Sequence, residues 1–232
     1  MPPPPRPWTV TPHGPLEKID DNLWGLSSAI PNMGAHRRMI IFRRADGALM
    51  FINAVPMDDG TRQEVEAWGK PAYLVVTHDQ HCIDAEGFRA RLGVQVFGPR
   101  ACEKKTRERV ALSGTLEALP PDPGVAIEQL AFTKFGEPVL TLKSVGGISL
   151  VFSDVFQNGD PSTLAFKFRL LGFAGARTPP VYKMMFLTDK AALKAKYEAW
   201  ATTPGLKRIV PTHGLVVEND PAGVLRAAAK RL

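Results

Sequence analysis

Runs and alternations of apolar residues divide the chain into short segments of two different periods. Residues 16–30 mix apolar and polar positions and predict one or two strands, and 38–44 (Arg-Met-Ile-Ile-Phe-Arg-Arg) predict another. Ala45-Asp46-Gly47 separates that run from Leu49-Met50-Phe51-Ile52, and Asp-Gly between two apolar runs signals a hairpin. Residues 61–68 predict a helix with Val65 and Trp68 on one face, ended by Gly69 and Pro71. Tyr73-Leu74-Val75-Val76 is a continuous apolar run, the pattern of a buried central strand, and leads directly into Thr77-His78-Asp79-Gln80-His81. A helix over 85–92, a strand over 94–97 and a basic helix from Pro99 to about Val110 follow. After a turn at 120–124 come strands at 126–132, 139–143 and 149–153, the last ended by Asp154. Residues 189–200 predict an amphipathic helix capped by Thr188. A strand at 208–210 stops at Pro211-Thr212-His213-Gly214, and Asp220-Pro221 opens a closing helix over 222–232. Hairpins at the start and alternating strands and helices in the middle predict a layered α/β protein with helices covering sheet faces.

With 232 residues, 44% of them hydrophobic and 22% charged, the chain can bury a full core. Whole-chain disorder, collagen and a disulfide-stapled miniprotein are excluded. The opening Met1-Pro-Pro-Pro-Pro-Arg6-Pro7 has no apolar centre, so residues 1–15 read as an extended Pro-rich arm rather than a signal peptide. A loose tail is the simpler use of that arm; docking on a proline-binding partner is the other. No uninterrupted apolar run is long enough to span a membrane, so no membrane association is expected. Cys82 and Cys102 cannot build a disulfide framework, and the expected compartment is the reducing cytoplasm. The net charge of +6 permits an anionic substrate or nucleic acid without requiring either. The mixed charges of 99–110 read as a solvated surface without interleaved aromatics, so nucleic acid is not an expected partner.

Of the five histidines, His78, His81 and His213 lie just past the carboxyl ends of predicted strands, and Asp154 stands in the same relation to 149–153. Ligand sites of α/β sheets lie at such ends, so if these strands are neighbours the four side chains converge. Imidazole nitrogen and carboxylate oxygen suit zinc, manganese or iron, and an ion with an open position acidifies its water toward a pKa of about 7. Asp79 and Asp84 are nearby candidates to orient ligand imidazoles. His and Gly are also ordinary turn residues and Asp154 could cap a turn; the repetition at three strand ends carries the inference. His13 and His36 read as surface residues, and Trp68 and Trp200 as core. Residues 164–186 hold Phe166, Phe168, Phe173, Met184, Met185 and Phe186, too many to leave exposed at random. They read as core or as a homodimer patch, with a hydrophobic lid as a further use.

The order of these parts resembles the metallo-β-lactamase superfamily from about Leu16 to Val217. The resemblance rests on the opening hairpins, the strand entering Thr77-His78, the strand ending in Ser153-Asp154, and Pro211-Thr212-His213-Gly214. It implies a four-layer αββα sandwich, as one domain over 16–232, with the site at one edge. That family carries His-x-His-x-Asp-His at the first strand tip, then a later His, a bridging Asp and a final His. Aligned from His78, the second His falls on Gln80, the Asp on Cys82 and the next His on Ile83; no His stands near Phe135-Gly136-Glu137-Pro138. His78, Asp154 as the bridging carboxylate and His213 carry over; His81 has no counterpart but is within reach. Cys82 reads as either a thiolate ligand or a small buried residue. The resemblance implies a hydrolase-like protein with at most one divalent metal held by His78, His81, Asp154 and His213, with Asp154 and His213 catalytic. It would hydrolyse an ester, thioester, amide or phosphodiester. The alternative is an inactive member of the fold that binds a small molecule or a protein.

Overall fold

The computed structural model describes residues 7–30 and 35–232, without the side chain of Ala35; residues 1–6 of the expected arm lie outside the described residues. The chain forms two compact units, Met1–Ala29 with Arg37–Gly124, and Ile30–His36 with Val125–Leu232.

The first unit is built on β1 (Glu17–Asp20), β2 (Leu23–Ile30), β3 (Ala35–Arg43), β4 (Ala48–Ile52), α1 (Asp59–Trp68), β5 (Lys70–Val75), α2 (Ala85–Leu92), β6 (Gln95–Gly98), α3 (Glu103–Arg107) and β7 (Gly114–Thr115). Its strands form one sheet in sequence order. β3 and β4 make the expected antiparallel hairpin, whereas β4, β5, β6 and β7 run parallel to one another. Parallel strands need crossovers, and α1 and α2 supply two of them. Val65 of α1 and Ala85 and Phe88 of α2 pack on Leu49, Phe51, Leu74 and Val96. Trp24 and Trp68 stack with centroids 3.8 Å apart. α1 starts two residues earlier than its apolar pattern suggests, because the Asp58 carboxylate accepts from Thr61 N. The expected basic helix is shorter than its charge pattern: a 3-10 turn over Arg100–Cys102 precedes α3, which ends at Arg107. The chain is anchored from Trp8 onward rather than loose: the indole stacks on Phe88 and its Nε1 donates to Met57 O. His13 is likewise not a bare surface residue. Its Nε2 accepts from Asp58 N, and its ring side chain is only 6% exposed.

The second unit contains β8 (Val125–Gln129), β9 (Pro138–Ser144), β10 (Gly147–Phe152), β11 (Gln157–Gly159), α4 (Phe166–Leu170), β12 (Gly175–Arg177), α5 (Pro180–Met185), α6 (Lys190–Trp200), β13 (Leu206–Pro211) and α7 (Pro221–Lys230). Its main sheet has the order β13-β10-β9-β8, antiparallel except for the parallel β10–β13 pair; β11 and β12 form a separate ribbon. Leu193, Tyr197 and Trp200 of α6 and Leu225 of α7 cover Leu150, Phe152 and Ile209. Phe152 meets Trp200 edge-on at 5.2 Å. α6 is capped by Asp189, which accepts from Ala192 N; Thr188, the expected cap, donates instead to Phe132 O. α7 begins as read, with Asp220 accepting from Gly223 N. The result is a mixed α/β protein with several sheets, and no helix among the described residues is long and apolar enough to cross a membrane.

Phe152 is fully buried against α6. Phe152→Ala is expected to lower unfolding free energy by about 3–5 kcal/mol, read from the urea midpoint at unchanged slope.

Candidate functional site

In the second unit, pairing register sets the placement of two predicted site residues. β10 and β13 run parallel with Phe152 opposite Pro211, and Thr212 N donates to Phe152 O at 2.8 Å, carrying the ladder one step further. Asp154 and His213 each stand two residues beyond that matched pair, so they leave the sheet at one level. His213 Nε2 lies 3.2 Å from Asp154 Oδ1. His213 Nδ1 is 2.9 Å from His36 O; a carbonyl only accepts, so this nitrogen carries a proton. Gly214 is sterically required: its φ is +97°, and a Cβ there would lie 1.9 Å from Asn158 O.

A buried carboxylate backs this pair. Glu137 is fully buried, with Oε1 accepting from Val155 N (2.8 Å) and Oε2 from the Tyr182 hydroxyl (2.7 Å). Burial and the Glu137 charge both push the Tyr182 hydroxyl pKa up, so it stays a donor. Burial alone would lower the His213 pKa. The hydrogen bond and charge of Asp154, the His36 carbonyl and the Glu137 charge outweigh it, and the net shift is upward.

In the first unit, β5 ends at Val75 and the chain enters a 3-10 turn over Asp79–His81. His78 caps the turn, its Nδ1 accepting from Gln80 N at 3.2 Å. The His78 and His81 rings lie 4.1 Å apart, centre to centre. Asn53, left-handed at φ 57°, reaches across from the end of β4. Its Oδ1 accepts from both Thr77 N and Thr77 Oγ1, each at 3.1 Å, which turns its Nδ2 toward His81 Nδ1 at 3.0 Å. His81 Nδ1 thus lies between Asn53 Nδ2 and Thr77 Oγ1, the latter at 2.8 Å, and the two together fix the plane of the ring. For His78 the partner is a backbone N–H, which only donates, so Nδ1 accepts and a neutral ring carries its proton on Nε2. Cys82 settles as a buried thiol: burial pushes its pKa up to about 12, so it is not a thiolate ligand at neutral pH. Asp84, nominated to orient an imidazole, is ion-paired with Arg37 at 2.5 Å.

His78 is thus brought to His81, and Asp154 to His213. The expectation that all three strands are neighbours holds for β10 and β13 only, since β5 belongs to the seven-stranded sheet. Glu137 and Asn53 escaped the sequence reading. The signal for Glu137 is an acidic residue in the stretch where the histidine is missing, and Asn53 carries none.

Asp154→Asn should move the His213 titration, followed by ring-proton NMR in metal-free protein, to lower pH; an unmoved midpoint would contradict the pairing. A ring with a raised folded pKa adds stability below its unfolded value of about 6.5 and loses that contribution as pH rises through the folded value. The stability advantage of the native protein over Asp154→Asn should therefore shrink across that range. Cys82 should resist iodoacetamide in the folded protein at mildly alkaline pH and react once urea unfolds the chain.

No family model matches the sequence, and no curated protein matches it. Solved structures do match in fold. A metallo-β-lactamase from Hirschia baltica superposes with a TM-score of 0.59 at 15% identity, covering 93% of this chain and 98% of that one. The metallo-β-lactamase FIM-1 from Pseudomonas aeruginosa, in its mono-zinc form, gives 0.60 at 15% identity over 96% of each chain. A metallo-β-lactamase from Erythrobacter litoralis, with β-mercaptoethanol in its active site, gives 0.58 at 15% identity over 94% of this chain and 96% of that one. At this identity the likeness speaks for architecture alone, and the architecture is the metallo-β-lactamase fold.

Proposed function

We propose that the chain is a divergent member of the metallo-β-lactamase superfamily, a hydrolase-like protein with a reduced site for one divalent ion. His78, His81, Asp154 and His213 supply its ligands, and a small-molecule ester, thioester, amide or phosphodiester is its substrate. The observation that carries this reading is the Asp154–His213 pair. With Nδ1–H held by a backbone carbonyl, the His213 Nε2 is presented beside a carboxylate oxygen, the orientation an imidazole ligand needs. The donor types fit: the imidazoles of His78 and His81 and the carboxylate of Asp154 could hold a metal ion. Zinc is the first choice, with manganese or iron equally suited to these atoms. A neutral His78 keeps its lone pair on Nδ1, so it would hold the ion there once that nitrogen releases the Gln80 N–H. A divalent ion held there would supply Lewis-acid activation of water near neutral pH. Asp154 and His213 are the catalytic residues of this reading because together they would hold the ion that activates water, with the His213 ring kept in place by its Nδ1–H on the His36 carbonyl. The Cys82 thiol stays protonated and cannot replace the family's motif Asp as base. Two free, buried cysteines support a cytoplasmic setting.

The second reading is an inactive member of the fold that binds a small molecule or protein. The Gln80–His78 hydrogen bond favours it, because it occupies the one lone pair that a neutral His78 ring could give an ion.

Elemental analysis of protein purified without added metal separates the two. A copurifying ion that is lost in His213→Ala and in Asp154→Ala sustains the first reading; no zinc uptake by calorimetry leaves the second. Asn53→Asp offers His81 Nδ1 an acceptor in place of a donor. It should tighten zinc binding about 10- to 100-fold by chelator competition, and unchanged affinity would remove His81 from the ligand set.

A further inference from the structure

The stretch from residue 161 to residue 188 contains no Asp or Glu, while it contains Lys167, Arg169, Arg177 and Lys183. It also holds five of the nine most exposed large apolar side chains among the described residues, including Phe166 (77%), Leu170 (77%) and Met184 (79%). The segment is divided in its use. Tyr182, Phe186 and Leu187 pack into the core beneath, whereas Phe166, Leu170, Leu171, Met184 and Met185 face outward. Phe166 and Leu170 are four apart on α4 and share a face. The end of α4 abuts the start of α5, since a Cβ on Gly172 would lie 2.8 Å from the Pro180 ring. The exposed apolar side chains of both helices thus come from segments that meet at Gly172 and Pro180, with exposed Lys167 and Arg169 among those of α4.

We propose that this α4–α5 face docks on an anionic lipid surface, lying in the interface rather than crossing it. Exposed aromatic and aliphatic side chains alternating with cations are what such an interface selects: apolar groups enter the acyl boundary while Lys and Arg stems extend to the headgroups. Charge complementarity chooses this occupant over a second copy of the chain. A two-fold contact places the same patch on itself, and here that would set cations against cations with no acidic residue in the stretch to offset them. Lys183 is half-buried and donates to Arg231 O, so the exposed Lys167 and Arg169 are the cations that this face presents. Docking is independent of whether a metal is bound.

Co-sedimentation of the full chain with vesicles of phosphatidylcholine, with and without phosphatidylglycerol, tests the proposal. Binding should require phosphatidylglycerol and weaken as salt rises. The double variant Leu170→Glu, Met184→Glu should abolish it. Lys167→Gln and Arg169→Gln should each weaken it about five-fold. Unchanged thermal unfolding of the variants confirms that the fold is kept, and the glutamine pair answers the question even if the glutamate pair misfolds. Failure to sediment with phosphatidylglycerol vesicles at low salt overturns the proposal. A concentration-dependent dimer in place of vesicle binding, lost in the glutamate variant, also overturns it and gives the face to a second copy.

Discussion

The parallel ladder between β10 and β13 is the constraint on which the second unit's chemistry depends. Backbone hydrogen bonds match Phe152 to Pro211 and continue through Thr212, so the residues that follow leave the sheet in step. A slip of one residue would turn every side chain of β13 over and send His213 to the other face. The ladder is in turn held by burial: Phe152, Ile209 and Val210 are fully enclosed, and Tyr197 of α6 donates its hydroxyl to Val155 O beside the carboxylate. The core and the Asp154–His213 pair are therefore one mechanical object.

Much of this was legible in the chain because it was local. Apolar runs mark β4, β5 and β10, Asp46-Gly47 marks the hairpin, and Asp220-Pro221 opens the last helix. Asp154 and His213 stand where strand ends put them. What escaped depends on contacts distant in sequence. Glu137 joins the site through Val155 and Tyr182, and Asn53 reaches Thr77 and His81 from the neighbouring strand. Trp8 looks like part of a tail until Phe88 is folded beneath it. The charge pattern of 99–110 reads as one helix, but a 3-10 turn occupies its start and α3 ends at Arg107.

A histidine's identity also says less than its hydrogen bonds. His78 and His213 both fall where the resemblance asks for ligands, yet one ring nitrogen accepts from a backbone amide and the other donates to a backbone carbonyl. Those opposite roles decide which nitrogen has a lone pair to offer. A fold shared at 15% identity leaves such details free to differ, which is how an architecture and its chemistry come apart.

The two strands that carry Asp154 and His213 touch along their length, yet the chain leaves the sheet after one and returns only for the other. Part of what is threaded between them, α6 above all, covers the ladder, but the outward side chains of α4 and α5 touch neither strand's core and can change character without shifting the strands' alignment. Such a layout lets evolution rewrite what the molecule meets at its surface while leaving the Asp154–His213 corner untouched.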